Sequence, residues 1–438
     1  MSLALCEQLP YWEFLEHPFS HLVLNDGSVA SGIELLPLDI ECYSADRLNF
    51  LTENLRAFVN SLPEEIIVQF LVKFENEFDN VIQRHEHLVT TTNDFLLNLD
   101  IDRISNLNDQ IESQELFAPR LLMFIRIPNQ IKKTGFWGIK KFSNELEKGY
   151  EDRIQTLNQS IENARSLLAR VGFHSENLEK KDFVEIIYKS LNPKRAQEIK
   201  SPKLKESNEL NDLEIESPRS QLVFSDLILD QEDFVLDQMR TRVLSLKTLP
   251  ENTFAGMVKN FSTLPFKYEL LFNFNIPEQS KIIKSLEQKR RTTHSLVANT
   301  GGRVSDLEGE TRLNQTTGLI RELIETGQKV FEAELLIILR EENSLDGKKI
   351  LNLNTKEVLS KFKSLSGAEG IQETVSSWKL FSSSLPGASM NLIRKKKMKT
   401  NNMVDFLPLY GPSKGDELPY TLTHTRQGSL FSINPYDP

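Results

Sequence analysis

Five basic side chains lie within six consecutive residues near the end of the chain, at Arg394, Lys395, Lys396, Lys397 and Lys399. Each such charge adds about 1 kcal/mol of attraction near an anionic membrane, so the cluster predicts contact with a membrane surface or a partner. A solvated basic loop or helix end explains the same residues equally well. Nucleic-acid contact is the weaker alternative, because no aromatic residue is interleaved with the charges and the net charge is -10.

The residue types needed for catalysis do not occur at the spacing that catalysis requires. A phosphate-binding loop of the form GxxxxGK[ST] is absent from the sequence, since the pair Gly347-Lys348 is followed by Lys349. His85 and His87 point to different faces of a helix, which is a poor geometry for one metal ion. We therefore expect no catalytic residue, no bound cofactor and no metal site in these 438 residues.

The composition is that of a water-soluble chain with two or three structural units. Hydrophobic residues make up 39 % and charged residues 26 % of the sequence, close to the average of globular proteins. The longest apolar runs are far shorter than the roughly 20 residues that cross a bilayer, and the N-terminus lacks the basic start of a secretory signal. Cys6 and Cys42 are expected to be reduced thiols in the cytoplasm.

Residues 1–142 are predicted to form a first α+β unit. Asp26-Gly27 separates two alternating apolar runs, which is typical of a β-hairpin. Ser44 begins a helix that Pro63 ends, and the runs IIVQFLVKF and LLMFIRIP are predicted strands on either side of a second helical stretch. The helical spacing of that stretch is carried by Ile82, His85, Leu88, Val89, Leu96 and Leu99.

The same order of strand, helix, strand, helix and strand recurs over residues 220–350. SLP in the first unit corresponds to TLP in the second, IIVQFLVKF to YELLFNFNI, and LLMFIRIP to LLIILREE. These matches predict an α+β fold of two related units, each resembling a split βαβ arrangement with long helices inserted before its last strand. Chance similarity of generic α/β sequence is the alternative.

The remaining segments connect and extend these units. Between them we predict a helical segment over residues 143–193 and a flexible charged linker over residues 194–219. A helical and basic connector over residues 351–404 follows the second unit, and residues 405–438 end in a β-hairpin. In the helical segment, a packed helix is predicted from heptad spacing of Tyr150, Ile154, Leu157, Ile161, Ala164 and Leu168.

The last 34 residues are rich in residues that form turns. Turns are predicted at Pro408, Gly411, Pro412 and Gly415. Gly428 lies between the runs YTLTH and SLFSI, which is the pattern of a tight hairpin.

Several stretches together resemble a known family. The ending FLPLYGPSKGDELPYTLTHTRQGSLFSINPYDP is similar to the segment ahead of the motor domain in the large conjugation ATPases of type IV secretion systems, especially their TraC-type branch. There a PLYGPWKG-like turn precedes an RQGxLFxxxPYD-like hairpin, whose proline corresponds to Pro435. LNDGSVASGIELLPLDIECYS, SLNPKR, LSLKTLPENTFAGM and LIETGQKVFEAELLIILR agree in the same order. The resemblance covers residues 12–438 and departs at Ser413, where the family often has tryptophan.

The resemblance implies a cytoplasmic protein that is peripheral on the inner membrane and supports pilus assembly and DNA transfer. In that family the N-terminal half docks on inner-membrane components, while a C-terminal P-loop motor domain binds Mg²⁺ and hydrolyses ATP. Because the Walker motifs would lie beyond Pro438, we expect a non-catalytic N-terminal module that uses ATP and Mg²⁺ only if a motor domain is supplied. The expected partners are inner-membrane components of the secretion system, a second copy of the chain or a separate motor ATPase, with no direct nucleic-acid site.

Two other functions stay open at this point. An unrelated α+β scaffold or regulatory protein would share the tail by coincidence, and a partner protein would complete an ATPase in trans. A hairpin without the strands of a motor domain has exposed or poorly ordered apolar faces, unless the preceding domain or another chain covers them. We therefore expect residues 405–438 to be the least stable part of the chain.

Overall fold

The computed structural model describes residues 4–76, 78–113, 115–129, 139–205, 217–299, 307–425 and 428–436. Residues 206–216 of the predicted linker and Gln427 of the predicted hairpin lie outside the described residues.

The helices begin and end largely where capping residues and prolines predict. Ser44 accepts a hydrogen bond from the backbone N–H of Arg47, and α2 buries Leu51, Leu55 and Phe58 on one face. The helices are α1 (Leu5–Gln8), α2 (Ala45–Ser61), α3 (Asp79–Leu88), α4 (Asp94–Glu112), α5 (Ile139–Ala169), α6 (Lys180–Leu191), α7 (Gln279–Asn299), α8 (Leu307–Thr326), α9 (Leu345–Ser364), α10 (Ser377–Ser383) and α11 (Thr400–Asp405).

The strands include both predicted sets of apolar runs. Asp26-Gly27 forms the predicted turn between β2 and β3, and the helix expected after β9 is a 3-10 helix, Met257–Thr263. The strands are β1 (Tyr11–Leu15), β2 (His21–Leu24), β3 (Val29–Leu35), β4 (Ile67–Glu75), β5 (Ala118–Ile127), β6 (Ser175–Asn177), β7 (Leu227–Leu229), β8 (Phe234–Leu236), β9 (Met239–Thr248), β10 (Tyr268–Asn275), β11 (Val330–Glu342), β12 (Glu369–Gln372), β13 (Lys396–Lys399), β14 (Thr421–His424) and β15 (Leu430–Ile433).

One antiparallel sheet runs through both predicted units. Among the described residues it has 13 strands, with the main order β1-β2-β3-β5-β4-β10-β11-β9-β8-β7, and β6, β12 and β13 pair with β3, β9 and β11. In each half the first and second strands flank the last one: β5 lies between β3 and β4, and β11 lies between β9 and β10. The split βαβ order is therefore present twice, and the α+β class is confirmed.

The two halves are joined edge to edge by β4 and β10. These strands form eight consecutive antiparallel residue pairs. At the centre of the ladder Phe70 lies opposite Phe272, the residue that corresponds to it in the sequence match of the two units. The halves are thus related by an approximate two-fold axis through this pair, and they share one sheet rather than standing as separate units.

The first face of the sheet carries the larger apolar core. Val68, Phe70 and Val72 of β4 belong to this core together with buried residues of α2, α5, α9 and α11. The predicted heptad seam of α5 packs here, with the side chains from Ile154 to Leu168 buried and Tyr150 partly buried. Burial on both faces explains why the central strands appear in the sequence as nearly continuous apolar runs.

Residues 384–394, called the strap below, cross the second face of the sheet. Gln69 of β4 both donates to and accepts from the strap backbone at 2.8 Å, and Asn273 of β10 donates to a strap hydroxyl at 3.1 Å. Arg126 of β5 donates to two strap carbonyls at 2.7 and 3.0 Å, and Tyr11 of β1 donates to a third at 2.8 Å. The strap gives each of these buried polar side chains a partner and so fastens strands of both halves together.

The connecting segments differ from the predicted boundaries. Lys194 and Arg195 donate their backbone N–H groups to Asp237 Oδ2 at 2.8 and 2.7 Å, so the start of the predicted flexible linker is held on the second half. The predicted helical and basic connector contributes β12 and β13 to the main sheet. These pairings involve residues far apart in sequence, which local composition does not reveal.

For the C-terminal segment the structure shows one of the expected alternatives, in which the preceding domain covers the apolar faces. Phe406, Leu407 and Leu409 are fully buried in the core of the first face. The backbone of Leu38 donates to the carbonyl of Leu409 at 3.0 Å and accepts from Gly411 N–H at 3.2 Å. Beyond this point β14 and β15 form a separate two-stranded sheet that packs Leu422 and Leu430 against α3 and α4. The preceding part of the chain therefore covers the tail.

We predict that Phe406→Ala lowers the free energy of unfolding by about 3–5 kcal/mol, because the ring is fully buried and packs on Phe272 with the ring centroids 6.1 Å apart. Phe50→Ala is the matched control. Phe50 is 59 % exposed on α2, so its loss should change the free energy by less than about 0.5 kcal/mol. Urea denaturation of both variants measures the difference, and equal midpoints would show that the C-terminal segment is not part of the core.

Candidate functional site

The basic cluster forms a strand rather than a loop or a helix end. Lys396–Lys399 make up β13, which pairs antiparallel with residues 330–333 of β11. Side chains on a strand alternate between its two sides. Met398 is accordingly buried and its neighbour Lys397 is exposed.

Arg394, just before this strand, is engaged with a buried carboxylate. Its Nε and Nη2 donate to the two carboxylate oxygens of Glu373 at 2.6 and 2.7 Å, and its backbone N–H donates to Glu334 at 2.5 Å. The bond to Glu373 raises the pKa of Arg394, and burial raises the pKa of Glu334. Arg394 therefore ends the strap with a bidentate ion pair and is not a free surface charge.

Two of the four lysines are also paired with acidic side chains. Lys395 contacts Glu332 at 2.8 Å, and Lys399 contacts Glu322 at 2.7 Å. The hydrogen bond from Lys399 lowers the pKa of Glu322. Within the described ranges the side chains of Lys396 and Lys397 have no ion pair, so two of the five predicted contact residues carry free charge.

A cleft of about 390 Å³ opens beside the basic strand. Lys397, Met398 and Lys399 form one wall, and residues of α7 and α8 form another. Most of the residues that line the cleft are apolar, and Lys397 and Lys399 are on the wall formed by the basic strand. Its lining comprises Leu249, Pro250, Glu251, Thr253, Ile282, Ser285, Leu286, Leu319, Val330, Lys397, Met398, Lys399, Asn402 and Phe406.

The first predicted turn of the tail packs against the first half of the sheet. Pro408, Gly411 and Pro412 are buried. A Cβ atom at Gly411 would lie 2.9 Å from Pro37 and 3.3 Å from Pro119, so only glycine fits between them. The turn residues pack against Pro37 and β5, whereas the basic strand pairs with β11. The turn residues and the basic cluster therefore do not form one site.

The remaining turn residues hold the C-terminal hairpin. Gly415 has a φ of +75°, and a Cβ atom there would clash with the backbone of Ser432. The carbonyl of Gly428 accepts from the N–H of Phe117 at 2.6 Å, while Pro435 is exposed. Ser413 accepts a hydrogen bond from the N–H of Gly415 through its hydroxyl at 3.1 Å. Gly415, Gly428 and Ser413 thus take part in contacts within and around the hairpin.

His85 connects the tail to the helices of the first half. It is buried, and its ring nitrogens contact the carbonyl of Pro419 at 2.7 Å and the carboxylate of Asp100 at 3.0 Å. Arg103 pairs with the same carboxylate. No group of three or more potential metal ligands occurs in the part of the chain that the structure describes.

The first two turns of α4 expose an apolar surface. The helical spacing predicted Leu96 and Leu99 together with Ile82 and His85, but the helix is interrupted after Leu88 and only the latter two are buried. An adjoining groove of about 400 Å³ lies between α4 and β14, with Leu99, Asp102 and Leu422 in its lining. The exposed fractions are 70 % for Phe95, 53 % for Leu96, 37 % for Leu97, 54 % for Leu99 and 55 % for Ile101.

Sequence reasoning did not identify the acidic partners of the basic cluster or the groove at α4. Glu373 lies 21 residues before Arg394, and Glu322 lies 77 residues before Lys399. Acidic residues at such separations carry no local signal of pairing. The exposure of Phe95 and its neighbours likewise depends on which part of α4 packs against the rest of the protein.

Comparison with known proteins identifies one family. The model of the family described as TraC protein matches residues 5–344 of the chain. No curated protein matches the chain. None of the helices in the described residues has the length and hydropathy to span a membrane.

We predict that Arg394→Met lowers the free energy of unfolding by about 2–3 kcal/mol, because Glu373, which is 2 % exposed, loses its cation. The reduction is smaller than for a fully buried pair, since Arg394 itself is partly exposed. Lys396→Met, which removes an unpaired charge, is the control and should change stability little. The double variant Arg394→Met/Glu373→Gln should recover part of the loss in urea denaturation. An unchanged midpoint for Arg394→Met would contradict the structural role of this pair.

Proposed function

Because the chain belongs to the TraC protein family of type IV conjugative transfer, we propose that it is the non-catalytic N-terminal module of a conjugation ATPase. In this proposal it docks on inner-membrane components from the cytoplasmic side and supports pilus assembly and the transfer of DNA. The family match over residues 5–344 is the observation that carries the proposal. It also disfavours an unrelated scaffold that shares only the tail, because the match ends at residue 344 and lies entirely outside the tail.

The docking surface that we propose is the exposed start of α4 with the groove beside β14. Four apolar side chains, each more than half exposed, lie within seven residues from Phe95 to Ile101. Clustered apolar exposure of this kind marks interaction surfaces in soluble proteins. The groove supplies an apolar floor at Leu99, Leu107 and Leu422.

The partner that fits this surface is the cytoplasmic flank of an inner-membrane protein. Asp94 and Asp102 are exposed among the apolar residues of α4, so the surface is apolar and acidic. Membrane proteins carry an excess of lysine and arginine in the cytoplasmic segments next to their apolar spans. An apolar segment with basic neighbours complements the exposed turns of α4 in both respects.

The basic cluster has a smaller role in this proposal. Three of its five cations are held by Glu373, Glu332 and Glu322. The two unpaired lysines, Lys396 and Lys397, supply about 2 kcal/mol of attraction to anionic lipid, which is a weak anchor alone. They would orient the protein on the membrane rather than hold it there.

We propose no ATP hydrolysis by these 438 residues. The sequence contains no GxxxxGK[ST] loop. ATP and Mg²⁺ would enter only through a motor domain, either in the same protein or as a separate ATPase that the module joins in trans.

The docking proposal predicts that the triple variant Phe95→Ser/Leu96→Ser/Leu99→Ser loses co-purification with the inner-membrane proteins of its own transfer system. These side chains are exposed, so the variant should unfold at nearly the same urea concentration as the unmodified protein. Pull-down from detergent-solubilised membranes, followed by identification of the bound proteins, measures the effect.

Ile324→Ser and Leu353→Ser are the matched controls for this experiment, because these side chains are 62 and 64 % exposed on other helices. They should bind like the unmodified protein. Retained binding by the α4 variant would refute this surface, and failure of the unmodified protein to bind any inner-membrane component would refute the docking function.

ATP turnover by the purified chain should equal the buffer background. A coupled phosphate-release assay with Mg²⁺ measures it, in the presence and absence of a motor ATPase from the same system. Turnover above background by the chain alone would contradict the assembly-module proposal. A rise in the motor's turnover that requires the chain would favour the function in trans.

A further inference from the structure

A cavity of about 180 Å³ lies where the two halves of the sheet meet. Its floor comes from the ends of β4, β10 and β11, and its wall comes from α6 and the residues that follow it. The cavity is separate from the α4 surface and from the basic strand. Its lining is formed by Lys73, Phe74, Glu75, Asn76, Lys189, Pro193, Ala196, Gln197, Met239, Lys267, Tyr268, Glu269, Ile338 and Arg340.

Two cations of the floor share one carboxylate oxygen. Lys73 Nζ lies 3.8 Å from Glu269 Oε1, and Arg340 Nη1 donates to the same oxygen at 2.9 Å. The Lys73 side chain is only 4 % exposed, and its hydrogen bond to Ser190 Oγ is long, at 3.3 Å. These three charged groups therefore carry a net charge of +1 at the edge of the protein interior.

The hydrogen-bonding capacity of this pair of cations is only partly used. Among the described residues the nearest acceptor of Lys73 is Ser190 Oγ at 3.3 Å, and Arg340 Nη2 reaches the carbonyl of Ser190 only at 3.4 Å. A buried cationic group whose acceptors are this distant is incompletely stabilised. An oxyanion in the cavity would supply close acceptors and neutralise the excess charge.

The other residues that line the cavity indicate which class of molecule would carry the oxyanion. The lining has four cationic side chains and two carboxylates, but Lys189 is paired with Glu185 at 3.1 Å. The excess positive charge therefore rests on the group of Lys73, Arg340 and Glu269. The lining also includes apolar groups from Pro193, Ala196, Met239 and Ile338. Ligand sites typically combine apolar walls with a few placed polar groups. A carboxylate on an apolar body fits this lining better than inorganic phosphate does.

The geometry points to a binding site for an organic carboxylate, such as the C-terminus of an apolar peptide, in which Lys73 and Arg340 hold the carboxylate and Met239 and Ile338 contact the apolar body. The ligand would bridge the two halves of the sheet, because Lys73 belongs to the first half and the other three residues belong to the second. This site does not depend on the docking function, and it can be tested on the 438-residue chain alone.

Titration with hexanoate tests the site, with the methyl resonance of Met239 as local reporter and calorimetry as the measure of affinity. Hexanoate should shift the Met239 methyl resonance and bind at least about tenfold more tightly than hexanol or inorganic phosphate, since only hexanoate combines the charge with an apolar chain. Lys73→Met should weaken hexanoate binding about ten- to hundredfold through the lost charged hydrogen bond. Its fold should persist, because Glu269 keeps its ion pair with Arg340 at 2.9 Å when Lys73 is replaced.

Lys349→Met is the matched control, because Lys349 is 76 % exposed on α9 and lies outside the cavity lining. It should bind hexanoate like the unmodified protein. The proposal is overturned if hexanoate does not bind, if hexanol or phosphate binds equally well, or if Lys73→Met retains the affinity. A shift of the Met239 resonance that persists in Lys73→Met would also refute the assignment of Lys73.

Discussion

The antiparallel ladder between β4 and β10 determines how the other elements of the protein pack. Its eight residue pairs turn two split βαβ halves into one sheet. Both strands are then covered on both faces, so nearly every side chain along them is buried. The cores on the two faces, the strap and the cavity beneath α6 all exist because this ladder places β5 and β11 on either side of it.

Joining the halves also buries polar side chains at the centre of a wide sheet, and these side chains need hydrogen-bond partners. Gln69 and Asn273 lie opposite each other in the ladder and are fully or almost fully buried. The strap supplies its backbone to Gln69 and the hydroxyl of Ser384 to Asn273, and Arg394 fixes the end of the strap on Glu373. Because a buried polar group without a partner is costly, the strap and the two halves are expected to fold together rather than in sequence.

Function follows from the surfaces that this packing leaves open. Most of the basic cluster is engaged in ion pairs, and the turn residues of the tail hold the hairpin against the first half. The apolar start of α4 is the exposed surface that fits a module whose family serves conjugative transfer. In the proposed function this surface docks on the partner, and the large sheet is left to position whatever is attached to it.

Much of the fold follows from local sequence patterns. The runs IIVQFLVKF and YELLFNFNI, the cap at Ser44 and the heptad spacing up to Leu168 predicted their elements, because backbone periodicity and capping act over a few residues. The correspondence of the two units even placed Phe70 with Phe272, although it could not show that these residues face each other across the ladder.

Local patterns thus indicated the type of most main elements, the duplication and the family. Contacts between distant segments were needed to show that the halves form one sheet, that the tail is covered, that Leu96 and Leu99 are exposed, and that Arg394, Lys395 and Lys399 are neutralised. The physical reason is that burial and ion pairing depend on groups brought together from distant parts of the chain, such as Gln69 and the strap, 315 residues apart.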